Sequence, residues 1–536
     1  MKPSFRRSVV FGILLVGCVF QAARAQTDPK NKPTATSKSG ITFQAIDGAE
    51  NGTKDILEAR QAELTEKKGG KLSGHDWWLW GLTGIDYDRD GDPDLIANIH
   101  GPAGHGVFLK NQFQETGKLT FTNVTKELGV DGQLPSAEGR RTFVWDFDGD
   151  GWLDFSGLHT PDFLNQGGKS FALTSKKSFG SFSPQEIIDL NGDGHPDAYN
   201  ASGSNGIWNP AKKIFELTPF THPLKDQMPA EVQKLWTGTD NPKNRFLRVA
   251  FHTDHDLDGD RVPETIVTGY GSYGGDAFGR VIKKNKDGQF SDVTERLGLP
   301  LTGTPILVAD LDGDGWLDVL LAATPDSGFY RNDGQGKFAL VAGPLTTLLR
   351  ARDSYLHRAF IVDFDRDGRR DLIVSQPRLG NEVIFANRGD GQFEQVHKAR
   401  GWDSDPIVVC DLNGDDLLDV AIGGPGNNIS LLLNTTPQAG NYCNLSPRLP
   451  APNLFAVGTR VEVFRAGELG KADARPWLAD KAHADSTPIH IGLGEAKTFD
   501  LRVTFPGQEP IERKNVAAEK RLTIDAQGEL KSIAGR

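Results

Sequence analysis

Asp310-Leu-Asp-Gly-Asp-Gly-Trp-Leu-Asp318, running directly into the apolar Val319-Leu-Leu-Ala-Ala323, is one of seven copies of an acidic loop spread along the chain. The others read DYDRDGDPD from Asp86, DFDGDGWLD from Asp146, DLNGDGHPD from Asp189, DLDGDRVPE from Asp256, DFDRDGRRD from Asp363 and DLNGDDLLD from Asp411. Their starts are separated by 60, 43, 67, 54, 53 and 48 residues. A unit recurring at this period signals a repeat architecture, in which each unit buries its apolar surface against its neighbours.

Carboxylates at alternate positions of a tight loop put several hard oxygens on one side of the backbone, which suits the roughly six to eight oxygen ligands of calcium. In the register of an EF-hand, positions 1, 3 and 5 supply side-chain oxygens and position 7 a backbone carbonyl. In the first loop these are Asp86, Asp88, Asp90 and the carbonyl of Asp92, with Asp94 at position 9 closing the shell. The same register selects Asp146, Asp148, Asp150 and Asp154 in the second loop, and Asp189, Asn191, Asp193 and Asp197 in the third. The fourth supplies Asp256, Asp258, Asp260 and Glu264, and the fifth Asp310, Asp312, Asp314 and Asp318. The sixth supplies Asp363, Asp365, Asp367 and Asp371, and the seventh Asp411, Asn413, Asp415 and Asp419. Gly91 at position 6 suits a sharp turn, since glycine takes positive φ without steric penalty. No helix pattern flanks the loops and no Glu stands at position 12, so they are not EF-hands. Position 2 is always apolar (Tyr87, Phe147, Leu190, Leu257, Leu311, Phe364, Leu412), which anchors each loop in a core. A solvated Asp/Gly turn explains one such loop; seven in one ligand register point to Ca2+, structural, in up to seven sites.

The sites are not equal. In the fourth, Arg261 replaces the turn glycine and Glu264 the closing Asp, which makes the site at Asp256 the least suited to an ion. Asp416 holds the turn position of the seventh, and Asn191 and Asn413 remove a charge while keeping an oxygen.

Each loop feeds an apolar strand, as in LIANI from Leu95, LIVS from Leu372 and VAIGG from Val420. A second strand ends near an asparagine, as in GVFLKN, GFYRND and ISLLLNT, and a Gly-rich turn then leads to an aromatic strand. Short strands punctuated by Gly, Asn and Asp at this spacing predict an all-β chain, a β-propeller of four-stranded antiparallel blades, seven by the loop count. After the seventh loop the chain passes Asn434 without another aromatic strand, whereas GITFQAI at residues 40–46 supplies one. Phe43 then joins Phe121, Phe171, Phe215, Phe290, Phe338 and Phe393, and the N-terminal strand is expected to complete the seventh blade, leaving no open sheet edge.

The 536-residue chain opens with MKPSFRRSVVFGILLVGCVFQAARA, where basic residues, an apolar run from Val9 to Phe20 and the small Ala23 and Ala25 mark a secretory signal peptide over residues 1–25. Leu15-Val-Gly-Cys18 alternatively fits a lipobox that would anchor the chain through Cys18. No later stretch approaches the ~18 continuous apolar residues of a membrane span. The expected location is secreted, periplasmic or at the cell surface. Removing residues 1–25, with four basic and no acidic side chains, takes the net charge from −11 to −15, most of which seven calcium ions would offset. Such an acidic chain without a lysine and arginine cluster argues against a nucleic-acid partner. Three cysteines do not make a disulfide framework. Cys410 and Cys443 can pair in an oxidising compartment, but Cys410 on its apolar strand fits better as a buried free thiol.

Residues 26–39 read as a flexible segment, 40–436 as the propeller and the Pro-rich 437–453 as a linker. Beyond it, alternation in Arg460-Val-Glu-Val-Phe464 and Leu501-Arg-Val-Thr-Phe505 predicts a small β domain over 454–536. The repeats resemble the FG-GAP or VCBS repeats of integrin α-subunit propellers, and the resemblance implies structural calcium in the loops. The C-terminal segment resembles the ASPIC/UnbV domain of proteins similar to cartilage acidic protein, through Gly458, Arg460 and Val461, His490, Gly492, Leu493 and Gly494, and Val503, Pro506 and Gly507. Phe505 stands where that domain has a tryptophan.

Catalytic candidates are few. GHDWWLWG (74–81) places His75 and Asp76 among tryptophans, and FHTDHD places His252, Asp254 and His255 before the fourth loop. Tryptophans filling sheet cores and histidines capping strands account for these residues without catalysis, and no GxSxG, HExxH or phosphate-binding glycine loop is present. His490 reads as structural. The expected function is an extracytoplasmic calcium-binding module for an extracellular protein or glycan ligand; the alternative is a calcium-dependent, lyase-like polysaccharide-active enzyme on the same scaffold.

Overall fold

The computed structural model describes residues 40–533 apart from 68–78, 100–104, 136–141, 158–159, 175–185, 200–203, 220–229, 231–247, 271–276, 301–303, 323–325, 351–357, 377–380, 401–405, 425–427, 472–473, 483–484, 519–520 and the single residues 192, 261, 438 and 486. The expected signal peptide, the lipobox at Cys18 and the segment 26–39 therefore lie outside the described residues.

The chain is mostly β. Residues 43–434 form seven four-stranded antiparallel sheets, six of them with strands in sequence order. All seven start alike: strand one ends just before loop position 1, strand two starts at position 9, and the flanking residues pair directly. The pairs are Ile85 with Asp94, Trp145 with Asp154, Ile188 with Asp197, His255 with Glu264, Ala309 with Asp318, Val362 with Asp371 and Cys410 with Asp419. Each acidic loop is thus the tip of its sheet's first hairpin. Tyr87, Phe147, Leu257, Leu311, Phe364 and Leu412 at position 2 are buried, and Leu190 is half-buried, so the tips are pinned by apolar contacts.

The seventh sheet takes its fourth strand from the other end of the chain, as expected. Phe43 lies opposite Asn434 and Ile46 opposite Leu431. Phe43 packs in the core shared by the sixth and seventh sheets, with its ring 5.1 Å from that of Phe364.

The asparagine closing strand three links neighbouring sheets. Its side-chain N–H donates to the position-2 carbonyl of the preceding sheet's loop: Asn165 to Tyr87 (2.8 Å), Asn332 to Leu257 (2.8 Å), Asn387 to Leu311 (2.7 Å) and Asn434 to Phe364 (2.9 Å). Asn111 of the first sheet makes the same bond to Leu412 of the seventh (2.9 Å), so the ends of the repeat array meet by the bond that joins its interior. The second and third sheets share an aromatic core of Trp145, Phe147, Trp208 and Phe215. The outcome is propeller-like.

Two elements of this mostly β chain were not expected from the sequence. A helix, Thr53–Lys67, follows the first strand. Its Leu57 and Leu64 join a core made by the first and seventh sheets, and its buried Arg60 is held by Glu63 (3.0 Å) and Asp131 (2.7 Å). The expected linker is also corrected: Asn441–Arg448 is a strand, flanked by Ile489–Gly494 and Arg521–Asp525. Proline is tolerated there because the antiparallel partner stops at Leu445, so nothing on that side needs an N–H from Pro447. With this strand the C-terminal unit has two four-stranded sheets around one core that includes Cys443, Leu445, Val461, Phe464-adjacent Val463, Ile491 and Phe499. Cys410 is a half-buried free thiol, and Cys443 is buried.

Asn111→Ala should leave the buried Leu412 carbonyl without a donor at the closing junction, lowering stability by about 1–3 kcal/mol. An unchanged midpoint in urea unfolding would show that this junction is held elsewhere.

Candidate metal centres

Backbone hydrogen bonds fix the acidic side chains before any ion is considered. In all seven loops the position-5 carboxylate accepts the N–H of position 7: Asp90 from Asp92, Asp150 from Trp152, Asp193 from His195, Asp260 from Val262, Asp314 from Trp316, Asp367 from Arg369 and Asp415 from Leu417, at 2.8–3.1 Å. At position 1, Asp146 accepts N–H groups from Gly149, Asp150 and Gly151, and Asp310 accepts them from Gly313 and Gly315. Asp363 and Asp411 do the same for Asp367 and Gly368, and for Asp415 and Asp416.

Position 9 has a structural task that its sequence role as a shell-closing ligand does not reveal. One oxygen accepts the N–H of position 2 and the other the N–H that ends strand three. Asp318, for instance, binds Leu311 (2.9 Å) and Asn332 (2.8 Å), and Asp371 binds Phe364 (2.9 Å) and Asn387 (2.8 Å). Asp94, Asp154, Asp197 and Asp419 repeat the pattern, with Asn111, Asn165, Trp208 and Asn434 as the strand-three donors. Asp154 and Asp318 nonetheless still bring a ligand atom within 4.8 Å of those on positions 1 and 3 of their loops.

The loops fit a small, oxygen-seeking cation. Ligand atoms of Asp86, Asp88 and Asp90, of Asp146, Asp148 and Asp154, of Asp256, Asp258 and Asp260, and of Asp310, Asp312 and Asp318 converge within 4.8 Å. Oδ1 of Asp86, Asp88, Asp92 and Asp148 is buried without a hydrogen-bond donor, an expensive condition for a carboxylate oxygen unless a cation meets it. Burial, followed by the neighbouring acids, pushes Asp86 up to about 6. Burial likewise raises Asp146, Asp310 and Asp367 to about 7 and Asp419 to about 8, and drives Asp94, Asp154, Asp318 and Asp371 well above the carboxylate range.

Basic side chains from neighbouring strands, which the motif does not contain, also reach these acids. Lys110 Nζ lies 2.5 Å from Asp88 Oδ2, 3.1 Å from Asp90 and 2.7 Å from Glu115. Lys213 of the third sheet reaches Asp148 Oδ2 of the second loop at 2.5 Å. Arg331 pairs with Asp312 and Asp314, and Arg369 with Asp367. Of the asparagines in the ligand set, Asn191 and Asn413 accept the N–H of Asp193 and Asp415 through their side-chain oxygens.

The C-terminal unit packs on the loop end of the ring. Tyr442 donates its hydroxyl to Asp416 (2.6 Å), Arg521 reaches the same carboxylate (2.9 Å), and the Arg366 guanidinium stacks 3.7 Å over the Tyr442 ring. Gly440 and Gly494 donate N–H groups to the carbonyls of Asp365 (2.9 Å) and Arg366 (2.8 Å). Gly492 is held so close that a Cβ would sit 1.8 Å from Asp363 Oδ2, and a Cβ on Gly149 would meet Pro452 at 2.6 Å. Arg475 lies over Trp316 of the fifth loop. Arg366 adopts φ 57°, a left-handed conformation that is rare for a long side chain, at a position where the first loop has Arg89 (φ 60°) and the other five carry glycine. His490 has the structural setting expected of it: Nδ1 lies 2.7 Å from Asn444 Oδ1, and burial lowers its pKa to about 3. His75, Asp76, Arg261 and the side chains of His252, Asp254 and His255 lie outside the described residues.

An FG-GAP-like repeat family matches residues 256–321, 310–374 and 363–422, each window starting at an acidic loop and running into the strand after the next. No curated protein matches the chain. Among solved structures, an Agrocybe aegerita lectin that recognises non-reducing terminal N-acetylglucosamine is 21% identical, with TM-score 0.38 over 68% of this chain and 87% of that one. The Photorhabdus luminescens Tc holotoxin pore is 13% identical, with TM-score 0.32 over 90% of this chain and 18% of that one. A post-proline cleaving enzyme from Rickettsia typhi is 9% identical, with TM-score 0.31 over 85% and 62%.

Carboxylates raised to about 6–8 hold protons in the fold that they release when unfolded, so without divalent metal their contribution to stability is fullest below about pH 4 and is lost as pH rises toward 8. In chelator the melting temperature should fall by several degrees between pH 5 and pH 8; a rise over that interval would contradict the buried charges.

Proposed function

We propose that this FG-GAP-like repeat chain is a calcium-stapled interaction module that works outside the cytoplasm and binds a protein or glycan ligand. The observation that carries the calcium reading is the convergence of carboxylate oxygens in loop after loop, some of them buried without a donor. Asp86, Asp88 and Asp90, Asp146 and Asp148, and Asp310 and Asp312 would hold the ions, supported by the carboxylates at position 9. The bound cation would neutralise acids that otherwise repel one another within each hairpin tip. Sites of this kind in extracellular modules bind at about 10⁻⁴–10⁻³ M, so they stay filled outside the cell and act as fasteners rather than sensors. The signal-peptide reading of residues 1–25 supports the same location.

The C-terminal unit covers the loop end, with contacts to the second, fifth, sixth and seventh loops. A ligand therefore meets the ring away from that end or meets the C-terminal unit itself. By its sequence motifs that unit is of the ASPIC/UnbV type, and its two sheets support a domain starting near residue 441.

The calcium-loaded full chain should bind at least one class of ligand saturably on glycan arrays or in pull-downs from extracellular extract, and chelation should abolish the binding. Absence of saturable binding to either class, or turnover of a polysaccharide with no retained ligand, would contradict the reading.

A further inference from the structure

The fourth loop differs from the others in what faces its acids. Lys283 Nζ lies 2.6 Å from Asp258 Oδ1, 2.9 Å from Asp260 Oδ1 and 2.5 Å from Glu264 Oε1, which are positions 3, 5 and 9. An ammonium has three N–H donors, and here each has a carboxylate. Arg296 takes the second oxygen of Asp258 at 2.8 Å, so position 3 has no oxygen to spare. The contrast with the first two loops is direct. Lys110 reaches Oδ2 of Asp88 and of Asp90 but not position 9, and Lys213 reaches Oδ2 of Asp148, leaving Oδ1 of Asp88 and of Asp148 without a donor.

Position 9 differs in the same sense. In the other six loops its two oxygens accept backbone N–H groups from position 2 and from the end of strand three. In the fourth, the fully buried Glu264 keeps the bond to Leu257 (2.7 Å) but gives its other oxygen to Lys283. The extra methylene of glutamate carries the carboxylate to the lysine. The substitution at position 9 and the lysine therefore belong together.

We propose that Lys283 is a built-in cation that takes the place of calcium in the fourth loop, so that the fourth sheet is fastened without an ion while the other loops bind theirs. This rests on the calcium reading above. A divalent ion and an ammonium cannot share three carboxylates at these distances, because like charges only a few ångströms apart repel strongly when partly buried.

The test counts calcium on the full mature chain by native mass spectrometry. Lys283→Gln, which keeps a neutral donor beside Glu264, should bind one ion more than the wild type, and Lys110→Gln, which frees no position-9 carboxylate, should bind the same number. An unchanged count for folded Lys283→Gln would overturn the proposal. Anomalous diffraction from wild-type crystals grown in calcium decides the matter without relying on the variant's folding: ions in other loops and none in the fourth support it, and an ion in the fourth overturns it. A wild type that binds no calcium at all would instead contradict the calcium reading on which the proposal stands.

Discussion

The carboxylate at loop position 9 ties together three pieces of backbone that the chain would otherwise leave apart. In six of the seven sheets it opens strand two, accepts the N–H of the apolar residue at position 2 and accepts an N–H at the end of strand three. That last residue is in five sheets an asparagine, whose side chain then reaches the neighbouring sheet's position-2 carbonyl. One buried acid thus sets the hairpin tip, the pairing of the inner strands and the placement of the bond to the next sheet. Because Asn111 makes that bond to Leu412, ring closure needs no device of its own. The N-terminal strand adds the missing edge by pairing with Asn428–Asn434.

The same arrangement concentrates negative charge. In the second, fifth and seventh tips burial raises Asp146, Asp310 and Asp419 to neutral pH or beyond, and something positive must meet such acids. The chain supplies part of this through Lys110, Lys213, Lys283 and Arg331, and the C-terminal unit adds Arg521 at the seventh loop. Calcium is the proposed remainder. The C-terminal unit is seated on these tips, so the state of the loops bears on the seating of the domain as well as on the sheets.

Much of this was legible because it is local. The spacing of the acids, the apolar run after each loop and the aromatic strand at Phe43 are all readable without tertiary contacts. The helix Thr53–Lys67 was not, because it shows few apolar residues and buries Arg60 by pairing it with Glu63 and Asp131. The strand Asn441–Arg448 was hidden by Pro447 and the prolines that follow it, which suggest a linker until the antiparallel partner is seen to stop at Leu445. The strand-three asparagines were visible as a recurrence, but their reach into the next sheet depends on how sheets neighbour one another. Lys283 was hidden for a similar reason: it stands next to Lys284, and only the strand register decides which of the two faces the acids.

Hydrogen exchange tests the central claim most directly, namely that filled loops and strand-three asparagines hold the ring as one unit. In calcium, the amide hydrogens of Asn111, Asn165, Asn332, Asn387 and Asn434 should be among the slowest to exchange, and chelation should release them together. Protection at these amides that is unchanged by chelation would contradict the account.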